Sequence, residues 1–235
     1  MSQRKLILFD VDGTLITPGL IPRRAMAEAI SHFLGVEIEL TFFDVAGLTD
    51  PIIIRNALLR YGSNTSPTDG EINGILEHFL MLLEERLPPS DAVKVFPGAE
   101  TLVQACIDED WVPALLTGNV ERGARIKLAG TGLWDRFSFG VFGNDGHSRE
   151  DLPWIARERA WDVLHESFGL ADIILIGDTP NDACIARLNG IASLIVCRRE
   201  EPEWRRTIEA EQPTWLVEGF DDVPGLIRLL KGERP

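Results

Sequence analysis

Two carboxylates two positions apart, Asp10 and Asp12, lie in the run Asp10-Val11-Asp12-Gly13-Thr14, directly after the apolar stretch Leu6-Ile7-Leu8-Phe9. Side chains two apart on an extended chain point the same way, and Gly13 lets the backbone turn sharply behind them. One carboxylate can attack phosphorus as a nucleophile. A second beside it can protonate a leaving alkoxide and then deprotonate a water. By itself DxD is also an ordinary turn of two solvated acids; DxDGT after a buried-type strand favours chemistry.

Two further constellations follow apolar runs. Thr117-Gly118-Asn119 ends the run Val112–Thr117. A hydroxyl and exposed backbone N–H groups at a strand-to-helix junction suit phosphoryl oxygens, although the same tripeptide makes a common turn and helix cap. Gly177-Asp178-Thr179-Pro180-Asn181-Asp182 follows Ile173–Gly177. Its two carboxylates fall at a strand end and in the first helical turn, where hard cations such as Mg²⁺ find oxygen ligands and where Asp178 and Asp182 would also serve as a cap and a dipole partner.

The elements that must position these residues can be read from the hydrophobic pattern. Residues 5–10, 112–117, 137–142, 173–177 and 192–197 are short apolar runs of buried-strand type. Helical patterns over 101–108, 120–129, 152–168 and 182–189 separate them. Alternation of this kind predicts a parallel sheet with helices on both faces. One stretch breaks the rhythm. Residues 23–34, 51–61 and 68–87 all read as helices, entered through Pro18, Gly19 and Pro22 and left through Pro88, Pro89 and Pro97-Gly98. The expected organisation is therefore a core of residues 1–16 and 96–235 with a helical domain, 17–95, inserted into a loop.

The chain has 235 residues, 45% hydrophobic and 26% charged, a composition of globular type able to bury roughly 70% of its unfolded surface. Its net charge of −14 opposes nucleic acid and anionic membranes, and no apolar run reaches the roughly 20 residues of a membrane span. Three cysteines, Cys106, Cys184 and Cys197, without a CxxC, predict buried thiols in a reducing compartment. We expect a cytoplasmic protein, monomer or homodimer. The glycosylation sequon Asn64-Thr65-Ser66 is then a chance match.

Taken in order, DVDGT, LLTGN and GDTPND resemble the first, second and fourth motifs of the haloacid dehalogenase superfamily, phosphatase type, phosphoglycolate phosphatase-like. The resemblance spans nearly the whole chain. It implies an α/β fold: a Rossmann-like three-layer core with a parallel sheet, plus an all-helical cap. It implies Mg²⁺ held by Asp10, the backbone carbonyl of Asp12, and Asp178, with Asp182 supporting the metal site. Asp10 would form an aspartyl-phosphate, Asp12 would act as acid and base, and Thr117, Gly118 and Asn119 would hold the phosphoryl group. A carboxylate at position 12 suits an oxygen leaving group that needs a proton, hence a phosphate ester of a small metabolite.

The third motif departs from the family pattern, which has a Lys near the start of the helix before the fourth strand. Residues 143–152 contain none, and Arg149 is the best-placed cation for phosphate. Lys127 is the alternative cation, but its place inside the helix after Thr117 leads us to expect it at the surface. The loop Gly47-Leu48-Thr49-Asp50 is expected to face the core, and Arg23, Arg24 and Arg55 are candidates for meeting a substrate carboxylate. Alternatives are a sugar-phosphate mutase of the same superfamily and a non-catalytic, receiver-like phosphate-binding module.

Overall fold

Every residue of Leu6–Phe9 is buried, as expected for a strand covered on both faces, and this strand, β1, lies inside a parallel sheet. A computed structural model describes residues 4–62 and 66–233; Asn64 and Thr65 of the sequon lie outside the described residues. The sheet contains β1, β4 (Val112–Leu116), β5 (Gly140–Val141), β6 (Ile173–Gly177), β7 (Ala192–Val196) and β8 (Trp215–Val217) in the order β5-β4-β1-β6-β7-β8. A two-residue ribbon pairs β2 (Ile16–Thr17) antiparallel with β3 (Lys94–Val95).

Side-chain alternation along β1 separates the two faces. Ile7 and Phe9 pack with α4 (Ala99–Asp108), α5 (Glu121–Leu128) and α9 (Val223–Leu230) through Leu102, Val103, Ala124 and Ile227. Leu6 and Leu8 point the other way, towards α6 (Leu152–Leu164) and α7 (Pro180–Leu188), meeting Leu152, Ala156 and Ile185. The outer helix α8 (Pro202–Ala210) adds Ile208 beside Ile195.

Between β2 and β3 the chain forms α1 (Ile21–Leu34), α2 (Asp50–Tyr61) and α3 (Asp69–Arg86), which bury a separate apolar cluster that includes Met26, Ile30, Ile54, Leu58, Phe79 and Leu83. Local signals set their ends. Thr49 caps α2, Thr68 and Glu71 form a reciprocal capping box on α3, and Gly35 closes α1 with φ +71°.

Several elements differ from the sequence reading. The strand expected over 137–142 is regular only at Gly140–Val141, although backbone hydrogen bonds to β4 begin at Ser138 and Phe139, just after Trp134–Arg136 turns as a 3-10 segment. The helix expected to run to Phe168 stops at Leu164, where His165 takes a left-handed conformation. The ribbon β2–β3, β8 and α9 were not anticipated. The cysteines are all free, but Cys184 is only half-buried, since it lies on the flank of α7 rather than on its sheet-facing side.

Candidate active site

The strand order explains why the three motifs meet. β1 lies between β4 and β6, and Phe9 is level with Leu115 on one side and Ile176 on the other. Asp10, Thr117 and Asp178 follow those strands, so they emerge side by side at the carboxyl edge of the sheet.

The buried carboxylates gather there. One oxygen each from Asp10, Asp178 and Asp182 lie within 4.8 Å of one another. Asp182 is fully committed. Its Oδ2 accepts from the Thr179 N–H at 2.9 Å, the Thr179 hydroxyl at 2.7 Å and the Asp178 N–H at 3.2 Å. Thr179, rather than Asp178, is therefore the N-cap of α7, with Asp182 completing a capping box. The other oxygen of Asp182 accepts from Arg149 at 2.6 Å. The Asp178 carboxylate is freer: among the described residues its sole hydrogen bond is a long one from Thr14 Oγ1 at 3.5 Å. Gly13 is required beside it: φ there is +86°, and a Cβ would overlap the Asp178 carboxylate.

Arg149 opens a 3-10 turn leading into α6, fixed by Asp151 accepting the Ser148 N–H at 2.9 Å. Its Nη2 donates to Asp10 Oδ1 at 3.0 Å as well as to Asp182, while its buried Nε has no partner among the described residues. Burial raises the Asp10 pKa to about 7; Arg149 pulls it down, and Asp182 and Asp12 push it up. Asp178 is likewise pushed well above the usual carboxylate range by burial and by its acidic neighbours. An all-oxygen donor set whose members are destabilised by mutual repulsion matches a hard cation. Asp10 and Asp178 are the residues that could hold it, and Asp182 would position them.

Asp12 points elsewhere. Its Oδ2 accepts from Asn119 Nδ2 at 3.0 Å and from the Lys127 ammonium. Its Oδ1 is buried without a hydrogen-bond partner among the described residues. The expectation that Lys127 is a surface residue is overturned: it is 4% exposed and also donates to Asn119 Oδ1. The cause is helical phase. Gly123, Ala124, Lys127 and Leu128 make one buried stripe of α5, and that stripe faces the site. This i, i+1, i+4, i+5 pattern was the available signal; Lys127's charge masked it.

Thr117, Gly118 and Asn119 are all buried. The turn is less open than the sequence implied. Thr117 Oγ1 accepts the Asn119 N–H at 3.3 Å and Asn119 Nδ2 at 2.8 Å. The Gly118 carbonyl accepts the Asp50 N–H at 2.9 Å, and Asp50 Oδ2 accepts the Val120 N–H at 2.9 Å. The segment 47–50 thus lies directly on the core loops, close enough that a Cβ on Gly118 would overlap the Leu48 carbonyl. Asp50 is buried, which pushes its pKa up to about 6 against the pull of Lys127 and the Val120 amide.

These groups line a cavity of about 290 Å³. Asp10, Asp12, Asp178, Thr117, Lys127 and Arg149 form its floor; the helical side supplies mainly apolar groups and Arg23. Of the other cations considered, Arg24 is exposed, and Arg55 is held at the surface by the Pro67 carbonyl and Asp69.

The family model for haloacid dehalogenase-like hydrolases matches residues 7–187. The chain belongs to this family. Similar proteins include a phosphoglycolate phosphatase of Haemophilus influenzae (strain 86-028NP), 26% identical over 97% of this chain and 99% of that protein. Another, from Cereibacter sphaeroides (strain ATCC 17025 / ATH 2.4.3), is 28% identical over 79% of this chain and 81% of its own length. Among solved structures, CbbY from Rhodobacter sphaeroides in complex with phosphate aligns with a TM-score of 0.70 at 18% identity, covering 94% of this chain and 96% of that one. A hydrolase from Pseudomonas syringae aligns with a TM-score of 0.71 at 18% identity, covering 97% and 99%. Among the described residues of this haloacid dehalogenase-like hydrolase, no helix is long and apolar enough to cross a membrane.

Proposed function

We propose that the protein is a Mg²⁺-dependent phosphatase that hydrolyses a small-molecule phosphate monoester through an aspartyl-phosphate on Asp10. The observation that carries this reading is the division of labour within DVDGT. Asp10 faces the cluster with Asp178 and Asp182, whereas Asp12 faces Asn119 and Lys127. Phosphatase relatives spanning nearly the whole chain support it.

Asp10 Oδ attacks phosphorus as the ester oxygen departs, and Asp12 delivers a proton to that oxygen. Asp12 then takes a proton from a water, whose oxygen attacks phosphorus, releases phosphate and regenerates Asp10. Arg149 holds Asp10 in place and offers its unused Nε–H, and Thr117 offers its hydroxyl proton, to phosphoryl oxygens. Lys127 orients Asp12 and counters the negative charge accumulating on the floor. Asp10 and Asp178 would hold Mg²⁺, which would supply positive charge to offset the repulsion between a carboxylate nucleophile and an anionic ester.

Residues 17–95 act in this reading as a cap domain over a core of 1–16 and 96–235, excluding water and contacting the leaving group. The net charge of −14 weighs against nucleic-acid and anionic-membrane partners, and the reading takes the protein as a cytoplasmic monomer or homodimer.

A panel of phosphate esters with Mg²⁺ tests the proposal. Free phosphate should be released, release should stop with excess chelator, and it should return with Mg²⁺. Full activity in chelator overturns the metal assignment. Conversion of a hexose 1-phosphate into an isomeric ester, without free phosphate, identifies a mutase instead.

A further inference from the structure

Three cations line the cavity, and two of them are paired with its acids: Lys127 with Asp12, and Arg149 with Asp10 and Asp182. Arg23 is the exception. It makes no hydrogen bond or ion pair among the described residues, while Arg60 and Arg86 of the same helical layer each have a carboxylate partner. The helical wall to which it belongs is mainly apolar, including Leu20, Met26, Phe42, Ile53 and Phe79, and its one carboxylate, Asp50, accepts the Val120 N–H and forms no ion pair with Arg23.

Its place in the helix adds a second argument. Arg23 lies in the first turn of α1, where there is no acidic residue and no side-chain cap. The amino end of a helix already carries partial positive charge, so a guanidinium there is unfavourable unless an anion joins it. Helix terminus and guanidinium therefore face the same small volume with the same sign of charge. On the floor opposite, the carboxylates are matched by Lys127, Arg149 and the proposed metal. Among the described residues, no carboxylate pairs with Arg23.

We propose that Arg23 is a specificity-determining residue that selects esters carrying a second anionic group, a carboxylate or another phosphate, at the end remote from the phosphoryl group being transferred. The inference rests on the phosphatase reading of the floor. The cavity of about 290 Å³ limits such a substrate to a few carbons between its two charged ends. A planar guanidinium can grip either oxyanion with two parallel hydrogen bonds, which an ammonium cannot reproduce.

Non-hydrolysable probes separate this inference from the reading beneath it. With Mg²⁺ in excess, titration calorimetry would compare ethylphosphonate, phosphonoacetate and ethylene-1,2-diphosphonate on the wild type, Arg23→Ala, Arg23→Lys and the exposed neighbour variant Arg24→Ala. The wild type should bind at least one anionic-tailed probe about tenfold or more tighter than ethylphosphonate, the scale of one charge-assisted contact. Arg23→Ala should collapse that ratio, Arg23→Lys should restore part of it, and Arg24→Ala should leave it intact. The probe whose advantage is lost tells carboxylate from phosphate. An unchanged ratio in Arg23→Ala, no preference in the wild type, or no binding of any probe overturns the proposal. Hydrolysis of p-nitrophenyl phosphate by the wild type, scored separately, judges the phosphatase reading, because the binding ratio needs no turnover.

Discussion

The floor and the helical wall of the cavity are built from opposite materials. On the floor, charge is dense and constrained: Arg149 bridges Asp10 and Asp182, Lys127 holds Asp12, and the Thr179 turn fixes Asp182. The wall is mainly apolar, with Arg23 unpaired among the described residues and Asp50 at its junction with the floor. Preorganised charge lowers a reaction barrier because it need not reorganise as the reaction proceeds. In the proposed reading, the mainly apolar wall does little for the chemistry and instead discriminates among leaving groups. That reading assigns reaction and selection to different parts of the chain, so substitutions on the floor should cost far more than substitutions where the wall meets it.

The largest effect should come from the two acids of DVDGT. Asp10→Asn should abolish turnover and trapping of a covalent phosphoryl group, measured by acid-stable incorporation of labelled phosphate. Asp12→Asn should slow alkyl esters by about 10² to 10⁴-fold and aryl esters much less, since only poor leaving groups need the proton. Equal losses on both ester types, in steady-state assays, would remove Asp12 from the role of acid.

Next come the two cations, which compare two halves of the floor. Arg149→Ala should cost about 10² to 10³ in kcat, the scale of a single electrostatic stabiliser, and Arg149→Lys should recover part of it. Lys127→Ala should also be costly, by about tenfold or more, because Asp12 and Asn119 lose their shared partner. Its loss should fall more heavily on alkyl than on aryl esters, as it acts through the acid. A Lys127→Ala enzyme with wild-type kinetics on both would show that only the Arg149 half matters.

The smallest effect concerns the junction of wall and floor. The Asp50 pKa is about 6 in the folded protein against an ordinary 3.8, with burial the main cause. A raised carboxyl pKa means that the folded state holds the proton longer. Its stabilising contribution is complete below pH 4 and is lost as pH rises through 6. Asp50→Asn keeps an acceptor for the Val120 amide and removes the titration. Relative to the wild type, the variant should gain stability between pH 4 and pH 7, on the order of 1–3 kcal/mol by urea unfolding. A wild type that instead gains on the variant as pH rises would show that attraction to Lys127 outweighs burial.

Much of the floor was legible because strand-end chemistry leaves local marks. An apolar run followed at once by polar or acidic residues, with a glycine close by, places Asp10, Thr117 and Asp178 at one sheet edge from period and punctuation alone. Arg149 was legible as the only type of cation in its loop able to reach that edge, whereas its bond to Asp182 was not, since that pairing depends on how α6 and α7 pack. Lys127 was misread because a lysine inside a helix signals solvent, and only the phase of Gly123, Ala124 and Leu128 contradicts it. The ribbon β2–β3 escaped notice because two-residue strands have no periodicity. The short, half-buried β8 lacks the continuous apolar run that marks the central strands. The isolation of Arg23 is a relation among distant residues, and no stretch of sequence displays it.

That unnoticed ribbon has a consequence for how such a molecule can change. Ile16 pairs with Val95 and Thr17 with Lys94, so the outgoing and returning chains are neighbours about 5 Å apart. Everything between them is, to the sheet, a single long excursion that starts and finishes at one point. A turn of a few residues could bridge that gap, and so could a different assembly of helices. Neither exchange would rethread a strand or disturb the register that aligns Asp10 with its neighbours. In the proposed reading the ribbon is a splice point, at which a new selector of substrates can be grafted onto an old reaction floor.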